Sequence, residues 1–240
     1  MPRMPSRHDA VLLALLAAML ATTAPLAQTG SNTMYNPYQM LGGWAMLPDG
    51  VSWGAVIGII PDGEGGTWVH HRSEPPIMHF DSTGTVVETF GEGMFVMAHG
   101  FCRDHDGNFW AGDSGPFRDD PRTAGRGYQF FKFSPDGELL MTLGQAGVSR
   151  AGRDTFIAPT ACVVAPNGDI FVADGHGDNT NNRVVKFSKD GTFITSWGKT
   201  GYAPGEFRTL HAIAMDAEGR IYVGDRSNNR IQIFDQEGEF

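Results

Sequence analysis

The sequence lacks a hydrophobic run long enough to cross a membrane. Its main apolar run, Val11 to Leu20, has about ten residues, whereas a membrane helix needs about 20. Arg3 and Arg7 precede this run and small residues follow it as far as Ala27, which is the pattern of a secretion signal. We therefore predict a cleaved signal over residues 1–27 and a secreted or periplasmic protein, with a retained membrane anchor as the alternative.

Basic residues are also scarce. The chain has 18 Lys and Arg against 27 Asp and Glu, which gives a formal net charge of −9. Removing residues 1–27 takes away two positive charges and one negative charge, so the mature chain would carry −10. An acidic chain without a basic cluster argues against binding to nucleic acid or to anionic membranes.

Cysteine is almost absent, because the chain contains only Cys102 and Cys162. Neither lies near residue 27, which excludes a lipid-modified cysteine at the predicted cleavage site. Two cysteines alone make a weak argument for a disulfide.

Glycine is abundant instead, at 32 residues, and 14 prolines accompany it, a composition typical of many tight turns. Four segments repeat one pattern of strands and Gly-containing turns. The second strands of the four segments are residues 67–71, 109–113, 170–174 and 221–225, and the third strands end at Phe80, Phe133, Phe187 and Phe234. Strand repeats of this length, none able to bury its own faces, predict the blades of an all-β propeller. An unrelated β-sandwich is the alternative.

The repeats place four blades in residues 56–240, after a lead-in segment over residues 28–55 that has no blade pattern. Residues 114–128 and 145–157 are read as insertions that form exposed loops.

One repeat position carries histidine on alternate blades. The residues eleven positions before the second-strand aromatics are Ile57, His99, Thr160 and His211. Such positions on the innermost strands line the central channel of a propeller. In a six-bladed ring, three alternate blades can direct three imidazoles at one axial metal, and three His with an open fourth position is a catalytic zinc arrangement.

The third histidine would then belong to a sixth blade. We therefore expect an open arc of about four blades out of six, truncated at the C-terminus, and a closed four-bladed ring is the alternative. The cavity on the axis would take a peptide or small-molecule substrate.

A second repeat position carries arginine. The residues four positions after the second-strand aromatics are Arg72, Ser114, Gly175 and Arg226. Two guanidinium groups near the channel would attract a carboxylate, although pairing with Asp113, Asp174 or Asp225 at the blade surface is equally consistent with the pattern. His176 lies beside this level and could act as a base, as a ligand or in neither role.

The two cysteines differ in their register within the repeat. Cys102 lies three residues after His99, whereas Cys162 lies two residues after the equivalent Thr160. Because side chains alternate along a strand, the two thiols point to opposite faces of their sheets. We therefore expect two free, buried thiols in preference to a disulfide.

These residues together resemble the NHL-repeat propellers of the peptidyl-α-hydroxyglycine α-amidating lyase family, also called peptidylamidoglycolate lyase. The likeness covers roughly residues 50–240 in order. It rests on the segments His99-Gly100-Phe101, Asp106 to Trp110, Pro159-Thr160, Asp174-Gly175, Asn182 to Phe187, Leu210-His211-Ala212 and Asp225 to Phe234.

The resemblance implies a six-bladed propeller that splits a C-terminal α-hydroxyglycine into a peptide amide and glyoxylate. It implies that His99 and His211 bind zinc and that Arg72 and Arg226 are active-site arginines. It further implies a structural calcium bound by the main-chain carbonyls of Ile59 and Phe101.

The sequence departs from the family at the catalytic tyrosine, whose place is taken by His176, followed by the additional residues 177–180. A neutral histidine could take the proton of the substrate hydroxyl. The leading hypothesis is a zinc-dependent lyase-like enzyme. The alternatives are a non-catalytic NHL binding module for a peptide, protein or glycan, and a hydrolase or other metal-dependent enzyme on the same scaffold.

Overall fold

The computed structural model describes residues 37–116 and 120–240. The predicted signal at residues 1–27 and the first part of the lead-in segment lie outside these residues. The chain divides into two compact units after Gly42, and residues 37–42 contain no helix or strand. Within the described ranges, no helix combines the length and the apolar character that a membrane crossing requires.

Residues 43–240 form four antiparallel sheets in chain order, as expected for blades of a propeller. Blade 1 contains β1 (Val56–Pro61), β2 (Thr67–His71), β3 (Ile77–Phe80) and β4 (Val86–Phe90). Blade 2 contains β5 (Ala98–Arg103), β6 (Phe109–Asp113), β7 (Gln129–Phe133) and β8 (Leu139–Leu143). Blade 3 contains β9 (Pro159–Val164), β10 (Ile170–Asp174), β11 (Arg183–Phe187) and β12 (Phe193–Trp197), and blade 4 contains β13 (Leu210–Met215), β14 (Ile221–Asp225) and β15 (Arg230–Phe234). The predicted all-β propeller with four blades is confirmed.

The cores lie between neighbouring blades. Phe109 and Phe133 of blade 2 pack with Trp68 and Phe90 of blade 1, and equivalent clusters join blade 2 to blade 3 and blade 3 to blade 4. The first strand of each blade lies against the first strand of the next. Blade-to-blade burial of apolar faces therefore holds the arc together.

The same irregularity interrupts the first strand of every blade. The pairing between the first and second strands skips one residue at Ile57, Gly100, Thr160 and His211. Such a β-bulge leaves one residue outside the ladder and changes the direction of the neighbouring side chains. Gly100 has a φ of 75°, and a Cβ added to it would lie 2.7 Å from the Thr160 carbonyl oxygen, so this bulge requires glycine.

An acidic residue at the end of the second strand fixes the segment that leads into the first strand. Asp113 accepts hydrogen bonds from the backbone of Val96 and Met97, and Asp174 accepts them from the backbone of Ile157 and Ala158. Asp225 does the same for the Arg208 amide. In blades 2 to 4, these bonds hold the segment immediately before the first strand.

Residues 145–157 are not the wholly exposed insertion that we expected. Phe156 is fully buried in the core between blades 2 and 3, and Phe207 occupies the equivalent place between blades 3 and 4. Each lies eighteen residues before the acidic residue that ends the second strand, so the segment is part of the repeat. Residues 121–123 of the other predicted insertion form a short 3₁₀ helix.

Cys102 and Cys162 form a disulfide, so the expectation of two free thiols is wrong. Their side chains do point to opposite faces of their own sheets, since Cys102 pairs with Trp110 whereas Cys162 pairs with Val172, the residue after the equivalent aromatic. Adjacent blades of a propeller stack face to face, so opposite faces of blades 2 and 3 meet. The offset therefore brings the sulfurs together, with the two Cα atoms 5.9 Å apart.

We predict that the Cys102→Ala/Cys162→Ala double variant is less stable than the wild type by about 2–4 kcal/mol, because the bond restricts the unfolded chain over a separation of 60 residues. Chemical denaturation without reductant measures this difference. Dithiothreitol should destabilise the wild type and leave the double variant unchanged. Equal stability of the wild type and the double variant without reductant would contradict the prediction.

His70 is a fully buried titratable group between blades 1 and 2. Its Nδ1 lies 3.2 Å from the Gly100 carbonyl oxygen, to which it donates, and Phe95 and Phe101 surround the ring. Burial lowers the pKa of His70 from 6.5 to about 3.

Because the folded pKa of His70 lies below the unfolded value, the unfolded chain takes up the proton first as the pH falls. Stability is then lost below pH 6.5, by about 1–2 kcal/mol from this residue between pH 6.5 and 5. The His70→Asn variant keeps a donor for Gly100 and cannot titrate, so we predict a smaller loss of stability over this range. Denaturation at both pH values tests this, and parallel losses in the two proteins would contradict it.

Candidate metal centre

Three histidines from three blades meet in the centre of the arc. The ring centroids of His99 and His211 are 4.9 Å apart, and that of His176 lies 5.3 Å from His99 and 5.2 Å from His211. One ring nitrogen of each residue lies within 4.8 Å of those of the other two. The sequence predicted the meeting of His99 and His211, and the structure adds His176 from the loop after β10.

A main-chain carbonyl fixes the orientation of His99. Its Nδ1 lies 2.7 Å from the Thr160 carbonyl oxygen. Since a carbonyl only accepts, Nδ1 carries the proton and Nε2 presents a lone pair to the cluster. Histidine ligands of metals commonly use such a bond to fix the tautomer.

Thr160 also connects the cluster to the next blade. Its hydroxyl lies 2.8 Å from the Leu210 carbonyl oxygen, immediately before His211, and 3.2 Å from that of Ala173. Thr160 occupies the repeat position that is histidine in blades 2 and 4. It thus contacts His99 of blade 2 directly and, in blade 4, the residue that precedes His211. Thr160 was identified at this repeat position from the sequence, but its contacts with His99 and Leu210 were not predicted.

The imidazoles of the cluster are neutral at pH 7. Burial is the main cause and lowers the pKa of His99 to about 4, and the nearby His211 and His176 rings lower it further. The pKa values of His176 and His211 are also lowered, first by burial and then by the charge of Arg226. Neutral rings are the form that binds a metal ion.

The two predicted arginines lie in the same cavity as the histidines. This cavity has a volume of about 450 Å³ and is lined by Ala55, Val56, Ile57, Arg72, His99, His176, His211 and Arg226. Arg72 donates from Nε to the Ala98 carbonyl oxygen at 3.0 Å. Within residues 37–116 and 120–240, neither Arg72 nor Arg226 forms an ion pair with Asp113, Asp174 or Asp225.

The acidic residues at the strand ends have other partners. Asp174 pairs with Arg183 at 3.1 Å, and Asp225 pairs with Arg230 at 2.9 Å. Arg72 and Arg226 therefore leave a positive charge at the cavity, where an anionic substrate group could bind.

A larger cavity, of about 750 Å³, lies among the turns between the first and second strands of blades 2 to 4. Arg103, His105 and Asp216 contribute to its lining, but no three metal-binding side chains of the described residues converge there. We therefore place the candidate site in the smaller cavity.

The residues assigned to calcium lie on neighbouring first strands. Ile59 pairs with Val69 in blade 1, and Phe101 pairs with Ala111 in blade 2. A Cβ added to Gly58 would lie 2.4 Å from that of Phe101, which shows how closely the strands approach. The calcium site stays a prediction.

Comparison with known proteins supports the fold and its relationship to lyases. A protein-family model described as a 6-bladed β-propeller matches residues 160–240. The chain is 35% identical over 167 residues to the peptidyl-glycine alpha-amidating monooxygenase B of Xenopus laevis, covering 66% of this chain and 18% of that protein. It is 34% identical over 165 residues to the peptidyl-alpha-hydroxyglycine alpha-amidating lyase 1 of Drosophila melanogaster, covering 64% and 28%.

NHL repeat-containing protein 3 of Mus musculus is also similar, with 30% identity over 173 residues that cover 68% of this chain and 46% of that protein. A streptogramin B lyase structure superposes with a TM-score of 0.56 at 18% sequence identity, covering 79% of this chain and 54% of that one, which supports the fold alone. The chain thus spans less than half the length of each of these three sequence relatives. It is a β-propeller whose sequence resembles those of NHL repeat-containing proteins and of the peptidyl-α-hydroxyglycine α-amidating lyases.

Proposed function

We propose that the cavity binds zinc and that the protein cleaves a peptidyl-α-hydroxyglycine into a peptide amide and glyoxylate. The observation that carries this proposal is the convergence of His99, His176 and His211 in one cavity with Arg72 and Arg226. The names of the relatives support the same reaction class.

The side chains present fit a zinc ion. Imidazole nitrogen is a common zinc ligand, and a catalytic site leaves one position open for substrate. The rings are neutral and the Nε2 of His99 faces away from its carbonyl partner. His99 and His211 would hold the ion, with the His176 ring beside them.

The reaction needs a proton to move from the substrate hydroxyl to the amide nitrogen. Bound zinc would supply Lewis-acid polarisation of that hydroxyl. His176 would accept the hydroxyl proton as the carbon–nitrogen bond breaks, with the bonding electron pair going to the nitrogen. His176 would then return the proton to that nitrogen, which gives the amide and glyoxylate. Arg72 and Arg226 would bind the carboxylate that becomes part of glyoxylate.

A second function is supported by the likeness to NHL repeat-containing protein 3. In that case the cavity would be a binding site for a peptide, protein or glycan without catalysis. Zinc analysis together with glyoxylate release separates the two functions.

Export is proposed with this function. The disulfide between Cys102 and Cys162 is of the type that forms in oxidising compartments, which agrees with the secretion signal predicted from the sequence.

The His99→Ala variant should bind zinc at least about 100-fold more weakly and release no glyoxylate above background. Loss of a residue that only hydrogen-bonds a metal ligand already weakens metal binding about 10- to 100-fold, and loss of the ligand itself should have a larger effect. Metal analysis and glyoxylate release from an α-hydroxyglycine peptide, both on the full-length protein, measure this. His105→Ala, in an exposed turn, is the control and should match the wild type. Unchanged zinc binding and activity in His99→Ala would refute the proposed site.

The His176→Ala variant should keep its zinc and lose about 10²- to 10⁴-fold in kcat, because it removes the proton acceptor. Zinc content and steady-state kinetics on the same preparation test this. Loss of zinc together with activity would instead make His176 a ligand and would contradict its assignment as the base.

A further inference from the structure

We propose that the ion pair between Asp178 and Arg208 is a positioning device that holds the His176 ring against His211 of the next blade. This inference rests on the proposed function, because it concerns the residue to which that function assigns proton transfer. Asp178 belongs to the additional residues 177–180, and no role was assigned to it from the sequence.

The loop that carries His176 is braced internally. The Gly177 carbonyl oxygen accepts hydrogen bonds from the Thr180 hydroxyl at 2.6 Å and from the Asn182 side-chain amide at 2.8 Å. A Cβ added to Gly175 would lie 2.7 Å from the Asn182 Cα, so the two ends of the loop approach closely. These contacts connect residues 175–182 to one another, so a displacement of Asp178 would also displace His176.

Asp178 binds the Arg208 guanidinium through both carboxylate oxygens. Arg208 Nε lies 2.7 Å from Asp178 Oδ1, and its Nη2 donates to Oδ2. On its other side Arg208 donates to the Tyr202 hydroxyl at 2.7 Å and lies over the Tyr202 ring at 5.0 Å. A paired carboxylate and guanidinium have a defined mutual orientation, unlike a single contact.

The pair connects the two segments that carry the imidazoles. Asp178 lies two residues after His176, and Arg208 lies three residues before His211. The Arg208 amide is itself bound to Asp225 at 2.6 Å, so Arg208 is fixed to blade 4. The Asp178–Arg208 pair thus fixes the loop that carries His176 to blade 4.

Two further bonds run in the same direction. The Thr200 hydroxyl donates to the Asp178 carbonyl oxygen at 3.2 Å, and the Thr209 amide donates to the Asn182 side chain at 2.9 Å. These bonds hold the loop to the segment between β12 and β13 when the ion pair is removed. We therefore expect removal of the pair to shift His176 without unfolding the loop.

The pair is half-exposed, with side-chain exposures of 27% for Arg208 and 50% for Asp178. Exposed ion pairs contribute little to stability, so the effect of breaking this one can be separated from general unfolding. The chain offers a matched control in Arg220, which pairs with Asp216 at 2.6 Å and lies over the Tyr222 ring at 5.9 Å, at the turn between β13 and β14.

The test uses Asp178→Asn and Arg208→Gln in the full-length protein, with Asp216→Asn as the control. We expect kcat to fall about 10- to 100-fold, KM to stay within about twofold, and zinc content to stay at the wild-type level, because misplacing a catalytic group lowers the rate without removing substrate contacts. The charge-exchanged variant Asp178→Arg/Arg208→Asp should recover part of kcat. Asp216→Asn should match the wild type.

A second measurement does not depend on activity. In metal-free protein, diethyl pyrocarbonate should modify His176 several-fold faster in Asp178→Asn than in the wild type or Asp216→Asn, as read by peptide mass spectrometry. Wild-type rates of modification and wild-type kcat in both pair variants would overturn the proposal. Faster modification in a protein that releases no glyoxylate would leave the positioning role in place and reject the proposed function instead.

Discussion

The site depends on hydrogen bonds that join one blade to the first strand of the next. Gly100 and Thr160 are the residues that the bulges leave outside their own ladders. Their carbonyl oxygens accept from His70 and His99, the imidazoles of the preceding blades. A buried donor needs a partner, and these bonds provide it. The same contacts that satisfy the backbone therefore direct the His99 Nε2 to the axis.

The electrostatics of the cavity follow from this arrangement. Burial keeps the imidazoles neutral, and the neighbouring guanidinium groups of Arg72 and Arg226 disfavour a further positive charge on them. Ligands that are already deprotonated need no proton release to bind a cation. The cavity thus combines neutral rings that could hold a metal ion with guanidinium groups that could bind a carboxylate. This combination agrees with the proposed substrate, whose C-terminal α-hydroxyglycine carries both a hydroxyl group and a carboxylate.

Much of the fold and part of the site could be predicted from the sequence. The repeating pattern of strands and turns predicted the four blades. His99 and His211 were placed at one level because each lies eleven residues before the aromatic residue of its second strand. The approach of His176 could not be counted, since it depends on how residues 175–182 close. The disulfide was missed because alternation was applied within each strand, whereas the relevant faces belong to two stacked sheets. Phe156 and Phe207 showed a repeat spacing that could have been found in the sequence.

The central claim is that the bulged first strands direct His99 and His211 at one metal ion. Crystals of the full-length protein grown with zinc, measured at the zinc absorption edge, test this most directly. The account predicts an anomalous peak about 2.0–2.1 Å from the His99 Nε2 and from a ring nitrogen of His211. An empty cavity, or a peak bound by other residues, would contradict it.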